Sequence, residues 1–303
     1  MSRRILTVAS LALAAALPVG AQTTTTSQDS VFNWSGKISP TAWLRIRDVK
    51  GAVKVTEGSG DQVKVRGERR MRHNGEGELV FHVKMQADGD VVICAYWPDE
   101  SHCSAGGMDV EDHHDDDAWP SADFTVQLPK GVKLDVSTGN GRVDVDRAGA
   151  DLIATSGNGE INISTVAGSV RAETGNGALT VDGAQGPVKA NSGNGRVRVT
   201  TATGPVNAST GNGDIDVSMR QLKQPDNMSF DTGNGHITLL LPAAFQGEVD
   251  SHTGNGKVMT DFPISVDGRL DAQHLRGTIG KGGPRIRLST GNGDLELRKV
   301  SGG

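Results

Sequence analysis

Hydrophobic and polar residues alternate in short segments along most of this chain, most regularly over residues 134–217. In the first unit Leu134 and Val136 flank one polar residue, and after a corner Val143 and Val145 do the same. Alternation with a period of two predicts a β-strand that buries one face. Each unit therefore contains two strands and two corners, and no segment has the period of 3.6 that predicts an amphipathic helix.

One phrase, Ser or Thr followed by Gly-Asn-Gly, returns in every unit. The first five copies are 18 residues apart, and three more follow at steps of 22, 21 and 37 residues. Repeats of this length indicate stacked units. The longest step leaves room for a degenerate copy of the phrase at residues 275–277. The asparagines of the eight clear copies are Asn140, Asn158, Asn176, Asn194, Asn212, Asn234, Asn255 and Asn292.

Two folds fit this pattern, an antiparallel meander and a β-solenoid. In a meander each Asn-Gly closes a hairpin, but no amphipathic helix is available to cover the apolar face of so long a sheet. In a solenoid each unit is one coil, and its two strands face each other across a core about 10 Å thick. We therefore predict an all-β fold, a single-stranded β-solenoid (β-helix) with coils of about 18 residues and more irregular N-terminal coils.

The repeated asparagines have a structural role in this interpretation. Stacked coils would place them above one another, so that their side-chain amides donate and accept hydrogen bonds along the axis as a ladder. The flanking glycines are expected to supply positive φ angles where the chain turns sharply.

The chain divides into four parts. Residues 1–21 contain two arginines, an apolar run and a small-residue end, which predict a signal peptide and an exported protein. Residues 22–42, rich in Thr, Ser and Gln, predict a flexible leader. Residues 43–133 predict an irregular β-strand region, interrupted by a polar, acidic insertion at 98–122. Residues 134–299 form the regular repeat.

Cys94 and Cys103 are the two cysteines of the chain. An even number of cysteines in an exported protein predicts a disulfide. The bond would close a short loop, for which stabilisation of about 2–3 kcal/mol is usual. A free thiol pair that binds a metal ion is the alternative.

The acidic insertion contains His102, His113 and His114 among many carboxylates. It is either a metal site or a solvated surface loop. We favour the loop, because metal sites need ligands at defined spacing on a rigid frame. Asp214 and Asp216, which follow one Gly-Asn-Gly, are similar to a calcium repeat, but other copies have Asn, Thr or Arg at the second position. We therefore predict no metal site.

Composition excludes several classes of function. The net charge of −5 argues against a nucleic-acid-binding protein, which needs a basic face. Beyond the signal peptide no apolar run is long enough to cross a membrane. The chain has no nucleophile elbow, no His-Glu-x-x-His and no phosphate loop. We expect no catalytic residues and no cofactor, and the oligomeric state stays open.

Three features together resemble a bacterial family of exported proteins that are described as candidate adhesins and contain a domain of unknown function. They are the repeated Thr/Ser-Gly-Asn-Gly phrases, the turn Leu128-Pro129-Lys130-Gly131, and the closing segment 282–293. The arrangement is also similar to the head domain of autotransporter-type adhesins. The resemblance covers residues 43–299 and implies a β-solenoid. It implies no catalytic or binding residues.

One strip of the predicted surface could contact a ligand. Arg171 and Lys189 occupy the same position in neighbouring coils, with Glu173 beside them. Our leading hypothesis is a non-catalytic exported scaffold that binds or adheres at the cell envelope, since solenoids offer extended contact areas. The expected partner is a surface glycan or an envelope protein. The alternative is a carbohydrate-binding or polysaccharide-cleaving module that uses this strip.

Overall fold

The computed structural model describes residues 24–71, 77–98, 101–110, 119–201, 203–223, 225–266 and 272–300. The predicted signal peptide lies outside these ranges, as do His113, His114 and the acidic run 111–117. Within the described ranges all regular secondary structure is β-strand. No helix in this part of the chain is long and apolar enough to cross a membrane.

Twenty-eight strands follow one another in the described residues. The first fourteen are β1 (Thr24–Ser27), β2 (Val31–Gly36), β3 (Trp43–Lys50), β4 (Val53–Glu57), β5 (Val63–Arg70), β6 (Val80–Met85), β7 (Val91–Tyr96), β8 (Ser101–Cys103), β9 (Met108–Val110), β10 (Ser121–Leu128), β11 (Lys133–Asn140), β12 (Val143–Ala148), β13 (Leu152–Asn158) and β14 (Ile161–Val166). The others are β15 (Val170–Asn176), β16 (Leu179–Ala184), β17 (Val188–Asn194), β18 (Val197–Thr201), β19 (Val206–Asn212), β20 (Ile215–Met219), β21 (Met228–Asn234), β22 (Ile237–Leu241), β23 (Gly247–Asn255), β24 (Val258–Thr260), β25 (Ile264–Val266), β26 (His274–Ile279), β27 (Arg285–Asn292) and β28 (Leu295–Lys299).

Two large sheets contain almost all of these strands. The first sheet has the order β1-β6-β7-β3-β11-β13-β15-β17-β19-β21-β27-β23-β26-β25, and the second has the order β2-β5-β10-β4-β12-β14-β16-β18-β20-β22-β28-β24. In the regular part each strand pairs in parallel with the strand 18 residues later, as Leu134 pairs with Leu152. Each coil contributes one strand to each sheet. The predicted β-solenoid is confirmed and the meander is wrong.

The two sheets enclose one continuous aliphatic core. Alternate residues of each strand point inward, so that β13 buries Leu152, Ala154 and Ser156 and leaves the residues between them partly exposed. Alanine recurs at the middle inward position of β13, β15, β17 and β19. Aromatic rings enter the core near the N-terminus, where Phe81 contacts both Phe32 and Phe124.

The repeated asparagines form an unbroken ladder of side-chain hydrogen bonds. Seven of the eight asparagines donate from Nδ2 to the Oδ1 of the asparagine in the adjacent coil, over 2.7–2.8 Å. All the amides point the same way along the axis. In spatial order the ladder runs Asn140, Asn158, Asn176, Asn194, Asn212, Asn234, Asn292 and Asn255.

The Ser or Thr that opens each phrase forms a second ladder, which the sequence analysis missed. Its hydroxyl is buried and donates to a glycine carbonyl of the adjacent coil, as Thr174 Oγ1 donates to Gly159 O over 2.9 Å. The same bond recurs at Thr138, Ser156, Ser192, Thr210, Thr232, Thr253 and Thr290. A buried hydroxyl needs such a partner, which explains why only Ser and Thr occupy this position.

Close approach of neighbouring coils requires glycine at both positions of the phrase, and the backbone conformation requires it at the second. The second glycine has a positive φ, from 144° to 159°, in seven of the eight phrases, as we expected, whereas the first glycine has none. A Cβ at Gly175 would lie 2.5 Å from the carbonyl oxygen of Gly157. At the second glycine of each phrase a Cβ would also lie less than 3.0 Å from a glycine carbonyl of the adjacent coil.

The coils at both ends stack out of sequence order. The last coil, β27–β28, lies between the coil β21–β22 and the coil β23–β24. The coil β3–β4 near the N-terminus is also enclosed. In the first sheet β3 lies between β7 and β11, and in the second sheet β4 lies between β10 and β12. The prediction of a degenerate copy at residues 275–277 is therefore wrong. That segment belongs to β26, which pairs antiparallel with β23.

Charges at the corner after the phrase agree with this order. Arg142 pairs with Glu160 at 2.6 Å, and Arg196 pairs with Asp214 at 2.6 Å. In spatial order the row continues His236, Asp294 and Lys257. The insertion of the last coil thus places Asp294 between two basic residues that sequence order would make neighbours.

Antiparallel strands form three of the four edges of the two large sheets. The predicted flexible leader, residues 22–42, is wrong in this respect, because β1 pairs with β6 and β2 pairs with β5. At the other end β26 and β25 cover the first sheet. Among the described strands, the second sheet ends on the three-residue strand β24.

We predict that Gly175→Ala destabilises the protein by about 1–3 kcal/mol, because the new methyl group would force neighbouring coils apart. The measurement is the urea midpoint of unfolding. Gly107→Ala is the control, since a Cβ at Gly107 has nothing within 4 Å. Equal midpoints for the two variants would contradict the role assigned to the glycine.

We predict that Asn255→Asp destabilises the protein, because it removes the donor to Asn292 Oδ1 at the C-terminal end of the asparagine ladder. The cost should be about 1 kcal/mol. Urea midpoints at pH 7 measure the difference. Asn33→Asp, at an exposed position of β2, is the control for the added charge, and equal midpoints for the two variants would contradict the donor role of Asn255.

We predict that Asp214 makes the free energy of unfolding depend on pH in the acidic range. Its carboxyl accepts the N–H of His236 and pairs with Arg196, which lowers its pKa below the ordinary value of 3.8. Its contribution is therefore present above pH 3.8 and disappears as the pH falls through the lowered pKa. We expect Asp214→Asn to destabilise by about 1 kcal/mol or less at pH 7 and not at pH 2. Asp146→Asn, at an exposed position, is the control, and a loss of stability that is the same at both pH values would contradict the assignment.

Candidate functional site

The outer side of the first sheet carries two rows of polar side chains, which we call the outer polar face. Neighbouring members of a row are one strand apart, about 4.8 Å. The first row contains Arg171, Lys189, Asn207, Ser229, Arg287 and Asp250 in spatial order. The second contains Thr155, Glu173, Asn191, Ser209, Asp231, Ser289 and His252.

Hydrogen bonds between coils fix the middle of this face. Arg171 pairs with Glu173 at 3.0 Å. Asn191 Nδ2 donates to Glu173 Oε1 over 3.1 Å, and Ser209 Oγ donates to Asn191 Oδ1 over 2.9 Å. The predicted strip is therefore brought together, because Lys189 lies directly beside Arg171 in register. The Glu173 carboxylate is engaged by neighbours on two sides.

Three exposed basic residues of the face have no ion partner within the described part of the chain. They are Lys189, Arg287 and Arg276, the last of which lies on the antiparallel strand β26 opposite Asp250. Cations that are not neutralised by neighbours remain available to an anionic or hydroxyl-bearing ligand. The face therefore combines available donors with hydroxyl and amide groups.

A shallow groove ends the face at its C-terminal side. Glu248, Asp250, Arg276 and Arg285 contribute to its lining, and Arg285 pairs with Glu248 at 3.0 Å. Next to it His252 and His274 face each other across the antiparallel strand pair. The groove mixes both charges, so it does not favour one sign of ligand.

A disulfide-bonded hairpin covers the N-terminal side. Cys94 of β7 and Cys103 of β8 form the predicted disulfide. The hairpin β8–β9 that follows places the carbonyl of Ala105 2.7 Å from Arg47 Nη2. The disulfide thus holds the hairpin over the sheet, and the outer polar face begins where this cover ends.

A buried ion pair lies beneath the hairpin. Arg47, only 2% exposed, donates to both carboxylate oxygens of Asp135, over 2.9 and 2.6 Å. Arg45 bridges Asp135 and Asp90. Asp135 lies in register with Ile153, on the outer side of the sheet, yet it is buried beside these two arginines. Because these carboxylates are already paired, the network is structural.

One carboxyl replaces a hydroxyl of the second ladder. Asp48 stands in register with Thr138 and is buried. Burial raises the pKa of the Asp48 carboxyl well above its ordinary value. Its Oδ1 accepts the N–H of Lys50, and its Oδ2 has no partner among the described atoms. This position ends the hydroxyl ladder rather than forming a site open to a ligand.

The metal hypothesis is tested only in part. No group of three or more His, Cys, Asp and Glu in the described ranges could hold a metal ion. His102 lies on β8 and is exposed, while His113 and His114 lie outside these ranges. The prediction for the whole insertion stays a prediction.

Two solved structures share a weak likeness with this chain. Among curated proteins, no relative matches this sequence. A candidate cell-adhesion protein from Clostridium sporogenes matches with 11% identity and a TM-score of 0.23, over 89% of this chain and 100% of the other. A candidate adhesin from Bacteroides fragilis matches with 9% identity and a TM-score of 0.39, over 89% and 97%. Likenesses this weak establish no shared activity.

The family comparison is more decisive, since it covers most of the chain. The profile of the Toastrack family, DUF4097, matches residues 43–298. This range begins with β3 and ends within β28, the last strand. The chain therefore belongs to the Toastrack DUF4097 family.

Proposed function

We propose that this protein is a non-catalytic exported scaffold that binds a ligand at the cell envelope through its outer polar face. The observation that supports this most is the pair of regular rows on that face, anchored on a ladder of seven amide hydrogen bonds. A rigid surface needs little ordering when it binds, which favours affinity.

The ligand class follows from the groups on the face. Lys189 and Arg287 offer positive charge, and Asn207 and Ser229 lie between them in the same row. A linear glycan with carboxylate or sulfate groups, laid along the solenoid axis, would meet one side chain per coil. Envelope proteins with acidic segments are the other ligand that this row would accept.

Export is consistent with the disulfide. Bonds of this kind persist in oxidising compartments outside the cytosol. The Cys94–Cys103 bond closes a short loop over the sheet and has no catalytic partner beside it in the described residues. Together with the predicted signal peptide, it favours the periplasm, the outer surface or the extracellular space. We also propose that the solenoid is similar to the head domains of autotransporter-type adhesins.

A polysaccharide-cleaving activity is the second candidate. Its support is the contact of Arg171 with Glu173 and the adjacent Lys189 on an exposed face. Cleavage requires an acid and a base placed about the scissile bond. Glu173 is occupied by a guanidinium and an amide, so we rank this activity below binding.

Binding is tested with the mature chain on a glycan array, followed by calorimetry with an acidic polysaccharide such as polygalacturonate. We expect Lys189→Ala to weaken binding about tenfold, because it removes a charge-assisted hydrogen bond. Lys54→Ala is the matched control, since Lys54 is exposed on the outer side of the second sheet.

The same samples distinguish binding from cleavage. Unchanged polysaccharide length after prolonged incubation supports the scaffold. Shortened chains that Lys189→Ala abolishes would refute it and support the enzyme. Equal affinity of the Lys189→Ala and Lys54→Ala variants would remove the outer polar face from the proposal.

A further inference from the structure

Every asparagine of the ladder precedes a glycine, and this pair is chemically reactive. The backbone nitrogen of the glycine can attack the side-chain Cγ, because glycine has no Cβ to hinder the approach. The new N–Cγ bond forms as the Cγ–Nδ2 bond breaks, and Nδ2 leaves as ammonia with the proton from the glycine nitrogen. Water then opens the cyclic imide at either carbonyl, which yields aspartate or isoaspartate.

The solenoid blocks this reaction in its inner coils. The attacking nitrogen is occupied, since the glycine N–H donates to the asparagine carbonyl of the next coil. Gly177, for example, donates to Asn194 O over 2.9 Å. The side chain is also held, because Asn176 both donates to Asn158 and accepts from Asn194. The same backbone bond is made by Gly141, Gly159, Gly195, Gly213, Gly235 and Gly293.

The outermost coil lacks two of these hydrogen bonds, one at the side chain and one at the glycine nitrogen. Asn255 donates to Asn292 Oδ1, but its own Oδ1 accepts no hydrogen bond from the described residues. The N–H of Gly256 has no acceptor among them either. Ala272 and Gln273 pass beside this coil and accept the N–H groups of Val258 and Thr253, on either side of Gly256.

The opposite end of the ladder is protected. Asn140 also has only one neighbour in the ladder, Asn158. Yet the N–H of Gly141 donates to Asn158 O over 3.0 Å, so its nitrogen is not available. The two ends differ because all backbone N–H groups at this corner point toward the C-terminal coils.

We propose that Asn255–Gly256 is a site of spontaneous deamidation in the folded protein. The product carries a carboxylate where the Nδ2 donor stood, facing Asn292 Oδ1. The last bond of the ladder is then lost. The affected coil also carries Asp250, and it pairs with the strand that holds Arg276. The inference does not depend on the proposed function.

The test incubates the folded full chain at mildly alkaline pH and follows each Asn–Gly peptide by mass spectrometry that separates aspartate and isoaspartate. We expect Asn255 to convert at least about tenfold faster than each of the seven other ladder asparagines, since neither its Oδ1 nor the N–H of Gly256 makes the hydrogen bond that protects the inner sites. Asn74–Gly75 lies outside the described residues, so the comparison is confined to the ladder.

Two controls keep the result interpretable. In concentrated urea the eight ladder sites should convert at similar rates, because folding alone distinguishes them. Asn255→Gln should abolish the fast release of ammonia by the folded chain. Equal rates in the folded state, or faster conversion at an inner coil, would overturn the proposal.

Discussion

The distance between adjacent strands of a parallel sheet, about 4.8 Å, is the constraint on which this structure depends. At that spacing a side-chain amide reaches its counterpart one coil away, and a Ser or Thr hydroxyl reaches the adjacent backbone carbonyl. It also leaves no room for a Cβ at the flanking glycines. The Ser/Thr-Gly-Asn-Gly phrase is therefore one steric and hydrogen-bonding solution repeated eight times, not a set of independent turns.

Because the corner sets the register, the outer surfaces are free to vary. The inward positions stay aliphatic, while the outward row changes from Arg171 to Lys189 to Asn207 without any change in strand pairing. A scaffold of this kind can present a different outer surface through substitutions that leave its fold unchanged. The hairpin that covers the N-terminal side limits where such a surface can lie, since it buries Arg47 and Asp135.

The two ends of the solenoid are built differently from its middle and from each other. Both the first and the last coil of the chain are enclosed by coils from interior segments, so neither terminal coil is left at an open edge. Asp294 fits between His236 and Lys257 only in this arrangement. The directional hydrogen bonds then make the C-terminal end chemically distinct, with an N–H at Gly256 that meets no acceptor in the described chain.

The sequence alone determined the coil length, the parallel register and the asparagine ladder, because all three follow from a short repeated pattern. It also determined the Cys94–Cys103 bond, because the chain has only these two cysteines. It also brought Arg171, Lys189 and Glu173 together, since an 18-residue period makes them neighbours. The stacking order of the end coils, the strands in residues 24–36 and the burial of Asp135 were decided by the tertiary structure. These depend on contacts between segments far apart in the chain, where no local period operates and where charge pairing and edge coverage select one arrangement.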